Sequence, residues 1–178
     1  MLKELHMKQF TRTILSFVCI TLFSSLYPQE LDLSEIIGTY SRTLEIQNEN
    51  TIQKIPMEFQ LKSTSVAGHF DYILTYDGVP RNYTLIEKNI EKGAFLLDEN
   101  NGIVIPTRLR NRTFYSFFEV QNNLLQSRLQ FDKDILYFEI LFSNTREQQK
   151  SGATSENIPE VISYPIKVVQ SAVLKKIK

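Results

Sequence analysis

The sequence predicts an all-β protein, an antiparallel up-and-down meander of roughly ten strands closed into a barrel, with one short helix at its N-terminal end. Three observations lead there. Runs rich in Ile, Val, Thr, Tyr and Phe alternate with clusters of Asn, Asp, Gly and Pro. Most connections between the runs are short enough for hairpins. Within the runs apolar residues recur at every second position, so each strand has an inside and an outside. A meander with almost no helix must hide its apolar face, and closing on itself does this while also removing exposed edges.

In chain order, Asp32 and Glu35 stand at capping-box spacing and Gly38 ends the turn, which predicts a helix over Leu33 to Ile37. The strands are expected at Thr39 to Gln47, Lys54 to Ser63, Phe70 to Tyr76, Arg81 to Lys88, Gly93 to Asp98, Ile103 to Arg110, Thr113 to Gln121, Leu124 to Phe131, Ile135 to Phe142 and Val161 to Val173. Between the last two lies Ser143 to Glu160, polar and without periodicity, which reads as a surface loop or mobile lid. Pro165 interrupts the final run, so that strand should be bulged or lie at an edge.

The stretch from Arg110 to Asp132, RNRTFYSFFEVQNNLLQSRLQFD, is apolar on both alternating registers, and only hairpin pairing decides which one is the core. Two-residue turns at Asn111-Arg112 and Asn122-Asn123 would set Leu109 opposite Phe114, Val120 opposite Leu125 and Phe114 opposite Phe131. With an even-length turn at Asp132-Lys133, the inner face becomes Ile103, Ile105, Leu109, Phe114, Phe118, Val120, Leu125, Leu129, Phe131, Leu136, Phe138 and Ile140. Arg108, Tyr115, Phe117, Glu119, Arg128, Tyr137 and Glu139 then meet water, the aromatic rings covering the stems of the arginines. Earlier in the chain a four-residue DGVP turn would pair Leu74 with Tyr83 and Tyr72 with Leu85. The first strand turns Tyr40, Arg42, Leu44 and Ile46 inward, an arginine among apolar residues.

Ahead of this domain, Lys3, Lys8 and Arg12 precede the apolar run ILSFVCITLFSSL from Ile14 to Leu26, the layout of a secretory signal peptide too short for a permanent membrane span. Residues 1 to 28 are therefore expected to be the signal, with the cut between Ser25 and Gln29 and either Met1 or Met7 as the start, and residues 29 to 178 the barrel, exported to the periplasm or outside the cell. Losing Lys3, Lys8, Arg12 and Glu4 from 20 basic and 20 acidic residues leaves 17 and 19, so no basic field remains for nucleic acid. Cys19 leaves with the signal, as does His6. His69 alone remains, which excludes a multi-histidine or thiolate metal site and a Cys-His nucleophile pair; neither metal nor cofactor is expected. For an outer-membrane barrel the runs are short, and charges at Arg108, Glu119, Arg128 and Glu139 stand where lipid would be.

A short helix leading into Gly38-Thr39-Tyr40 at the head of consecutive hairpins resembles the calycins, the lipocalin and fatty-acid-binding-protein group, in which Gly-x-Trp opens the first strand and where tyrosine here replaces tryptophan. Phe95 to Ile140 is also similar to lipocalin-like secreted bacterial proteins of unassigned function. The resemblance implies a ligand cavity inside the barrel and no catalytic machinery.

Ten strands enclose more room than the eight that side chains can fill, so a cavity is expected on geometry as well. The function expected is binding of a small amphipathic or apolar molecule, fatty-acid-like if anionic. Arg42 would anchor an acidic head, Tyr72, Tyr76 and Tyr83 would give hydrogen bonds, and Phe118 would contribute to the wall. The rival is a hydrolase using Glu119 and Glu139 about Arg128, two carboxylates being able to divide acid and base roles. Against it, exposed carboxylates beside a guanidinium read more simply as a solvated salt-bridge ladder. A third reading is a structural or interaction module that offers its last strand to a partner. The sequons at Asn82 and Asn111 matter only in a eukaryotic secretory pathway.

Overall fold

The computed structural model describes residues 32–178, and the expected signal peptide lies outside the described residues. A single turn of helix, α1 (Leu33–Ile36), leads into β1 (Gly38–Asn48), β2 (Ile52–Ser63), β3 (His69–Tyr76), β4 (Val79–Asn89), β5 (Ala94–Asp98), β6 (Val104–Arg110), β7 (Thr113–Val120), β8 (Asn123–Asp132) and β9 (Ile135–Asn144). A short 3-10 turn (Thr145–Glu147) precedes β10 (Gln149–Gly152) and β11 (Glu160–Ser163), and β12 (Ile166–Lys176) ends the fold. Ten strands form a closed antiparallel barrel in the order β1-β12-β9-β8-β7-β6-β5-β4-β3-β2, with β10 and β11 as a separate two-stranded sheet. The expected architecture is therefore the one observed, an up-and-down barrel closed by its first and last strands.

The expected polar loop after β9 holds the hairpin β10–β11, and Tyr164-Pro165 separates β11 from β12, so the run Val161 to Val173 is two strands rather than one. Pro165 has no N–H to offer a ladder and marks the point where the chain leaves one sheet for the other. β1, β2, β4 and β12 extend to 11 or 12 residues. Strand length thus no longer argues against a lipid-facing barrel, whereas the outward charges at Arg108, Arg128 and Glu139 still do.

The hairpins differ in detail from the expected pairings. The β3–β4 turn is Asp77-Gly78 rather than DGVP, so Tyr72 faces Tyr83 and Leu74 faces Arg81. Both turn residues have positive φ, 48° and 79°, the twist that Asp-Gly supplies at a two-residue hairpin. The β7–β8 turn is Gln121-Asn122, which sets Phe118 opposite Leu125 and Phe114 opposite Leu129, and the β8–β9 turn is Lys133-Asp134. At Asn111-Arg112 the expected turn and the Leu109–Phe114 pair are both present. The β3–β4 and β7–β8 pairings slip by two residues, and a two-residue slip keeps every side chain on its face. The inner face is accordingly the one expected, except at its ends, where Ile103 (45 % exposed) precedes β6 and Val120 (41 % exposed) borders its turn.

The end of the barrel carrying α1, Gly38 and Lys176 is sealed. Tyr40, Phe59, Leu61, Leu85, Phe95, Phe131, Leu136, Phe138 and Leu174 are buried there, and Phe131 meets Tyr40 and Phe114 edge to face, with ring centroids 5.7 and 6.3 Å apart. α1 closes this floor: Leu33 and Ile36 are buried, Asp32 caps the turn by accepting from the Ser34 N–H, and the Tyr40 hydroxyl donates to the Ile36 carbonyl at 3.1 Å. Burial, with Asp134 adding to it and Arg112 opposing, pushes the Tyr40 phenol up to about 12.

The barrel ladder is open at two places. Between β1 and β12, pairing breaks off after Ser41–Lys175 and resumes at Glu45–Ser171 in unchanged register, leaving Arg42, Thr43 and Leu44 without rungs to β12. Between β6 and β7 the ladder runs only from Arg110–Thr113 to Thr107–Ser116, stopping where Pro106 interrupts the row of donors.

Candidate functional site

Side chains on the inner face divide by height. At the α1 end they are almost fully buried, whereas near the opposite end Ile46, Ile55, Tyr76, Tyr83, Leu97, Phe118, Leu125, Ile140 and Phe142 point into the barrel and are still only half-buried. A side chain on the inner face exposes area to an internal space, through a mouth or, where the ladder is open, between strands. These residues form the largely apolar wall of the barrel's upper half, a cup-shaped arrangement less tightly packed than the floor.

Few polar groups interrupt that wall. The hydroxyls of Thr107 and Ser116, on neighbouring strands, share a hydrogen bond of 2.8 Å, and Ser127 and then Gln170 continue the inward row across β8 and β12. On the other side Tyr72 and Tyr83 stand opposite each other with rings 6.0 Å apart, and Tyr76 lies two inward positions above Tyr72, beyond Leu74. Burial pushes the phenols of Tyr72 and Tyr76 up; Tyr83 adds to both, and at Tyr76 the Arg81 guanidinium acts the other way. The wall can thus offer neutral hydroxyl donors to a polar atom of an otherwise apolar guest.

The structure brings together the three tyrosines expected from sequence and places Phe118 on the β7 wall of the same cup, but it does not bring Arg42 there. Arg42 has the inward register, opposite Met57, yet it is exposed. It lines a cleft of about 460 Å³ on the barrel's outer side with Glu45, Arg128, Tyr137, Glu139 and Ser171. The missing rungs explain the escape: where β1 and β12 are not bonded, a long side chain can leave the interior instead of burying an unpaired charge.

Nor do Glu119, Arg128 and Glu139 gather. Arg128 stands opposite Tyr115 on one side and Glu139 on the other, and it donates to Gln130. Glu119 is four residues further along β7, about 13 Å of strand, where it accepts from the Thr145 hydroxyl. Among the described residues no group of His, Cys, Asp and Glu is placed to hold a metal ion, and no helix is long and apolar enough to cross a membrane.

Reading by apolar alternation passed over Thr107, Ser116, Ser127 and Gln170, because polar residues on an inner register leave no hydrophobic signal. Their parity with Ile105, Leu129 and Ile140 was the available clue. No protein-family model matches this chain, and no curated protein and no solved structure matches it either.

Proposed function

We propose that the protein is a binder of a small apolar or amphipathic molecule, a calycin-like barrel that holds its guest in the upper half, and that it works after export, in the periplasm or outside the cell. The observation that carries this reading is the gradient of burial along the inner face: one end is packed shut, while the inward aliphatic and aromatic residues of the other remain open to a guest. A cup with apolar walls and a few hydroxyls suits a ligand whose affinity comes from buried hydrocarbon and whose orientation comes from one or two polar contacts.

The test is titration with a neutral polarity-sensitive dye such as Nile red. The protein should bind it with saturable enhancement of fluorescence, and Ser127→Trp, which fills the cup from the β8 wall, should weaken binding by about tenfold or more while the denaturation midpoint stays near that of the parent. Absence of saturable binding by the parent, or undiminished binding by a folded Ser127→Trp, overturns the reading.

A further inference from the structure

The charged residues on the barrel's inner register are Arg42, Arg81, Glu87 and Lys176. Three of them are accounted for without a ligand. Arg42 leaves through the β1–β12 opening, Glu87 lies at the floor end beside the Gly68 loop, and Lys176 at the same end sits over the Tyr40 ring, its Nζ donating to the Glu35 carbonyl. Arg81 remains. It stands opposite Leu74 at the rim, where it is exposed, and its guanidinium carbon lies 5.2 Å from the centre of the Tyr76 ring. Among the described residues it forms no ion pair and no side-chain hydrogen bond, although five carboxylates elsewhere pair with lysine or arginine.

We propose that Arg81 recognises an anionic group of the ligand, so that the guest lies tail down in the cup with a carboxylate, or a chemically similar single anion, at the rim. The inference rests on the cup being the ligand site and adds the ligand's polarity and orientation. The cation–π contact with Tyr76 holds the guanidinium at the rim without using its N–H donors, which can then grip a planar carboxylate through two parallel hydrogen bonds. The reverse orientation is unfavourable. The floor is lined by Leu61, Phe131, Leu136 and Leu174, and the cation at that end, Lys176, is already engaged by the Tyr40 ring and the Glu35 carbonyl, so an anion taken to that depth would be poorly compensated. Tyr72 and Tyr83 are paired one inward position below Arg81, and their hydroxyls are suited to a neutral polar atom of the guest, not to its charge.

The experiment compares a fatty acid with the fatty alcohol of equal chain length, each displacing Nile red from the full-length protein. The parent should prefer the carboxylate by about fivefold, a modest factor because the rim is open to water. Arg81→Gln should abolish that preference without changing affinity for the alcohol, Arg81→Lys should restore part of it, and Arg42→Gln should leave it intact. Equal affinity of the parent for acid and alcohol, or a preference that survives Arg81→Gln or is removed by Arg42→Gln, overturns the anchor while the binder reading stands. Failure of the parent to bind dye, acid and alcohol alike overturns both.

Discussion

Phe117 and Phe138 show how far position decides the worth of a side chain. Phe138 is buried on β9 and faces Leu129 and Ala172, whereas Phe117 on β7 points outward and is 67 % exposed. Phe138→Ala should therefore cost about 3 to 5 kcal/mol in urea unfolding and Phe117→Ala less than about 1 kcal/mol; the opposite ranking would invert the face assignment. Phe118, on the inner register but half-buried, belongs between them because part of its surface faces the cup rather than packed neighbours. At this scale the sequence was legible wherever parity alone mattered: the tyrosines and phenylalanines lie on the expected faces. It was not legible at Arg42 and Arg81. Both share the inward parity, but where their long side chains go depends on an unbonded stretch of ladder and on a neighbouring ring, neither of which periodicity encodes.

Hairpin turns set the pairing between strands, and two glycines show different demands. Gly78 has φ of 79° in the β3–β4 turn with open space around its Cα, so Gly78→Ala should cost about 1 kcal/mol, the penalty of a left-handed alanine alone. Gly93 also has positive φ, 57°, but the Leu109 backbone carbonyl occupies the place a Cβ would take, and the Gly93 carbonyl accepts from the Leu109 N–H at 2.8 Å. Gly93→Ala must in addition push β5 away from β6, and should lower the denaturation midpoint clearly more than Gly78→Ala. Equal losses would mean that the close approach is relieved cheaply. The strands were readable from their β-branched and aromatic runs, and the turns only to within two residues. Asp-Gly, Asn-Arg, Gln-Asn and Lys-Asp all serve as two-residue turns here, and residues without glycine give little warning that they adopt positive φ. The hairpin β10–β11 was unreadable because its strands are only four residues long and exposed throughout.

For the whole molecule the decisive pairing is the last one in sequence: β12 bonds to both β9 and β1, and without it the barrel would have two bare edges. Closure was inferred from the absence of helical cover and is observed, whereas the place where the inner face packs shut depends on the packing of α1 beneath Tyr40. The two ends of the barrel chain meet at that same floor: Tyr40 pairs with Lys176, the Thr39 N–H donates to Lys178 at 2.9 Å, and the Ile177 N–H donates to Thr39 at 2.7 Å. Tension applied between residues 38 and 178 would thus load the β1–β12 rungs singly, as a zipper is opened, and after Ser41–Lys175 would reach a stretch with none to break. Tension between residue 38 and residue 166, at opposite ends of the neighbouring strands, would load the remaining rungs together in shear. In single-molecule stretching the first geometry should yield at the lower force; a barrel that resists both equally would owe its mechanical strength to the packed floor rather than to its seam.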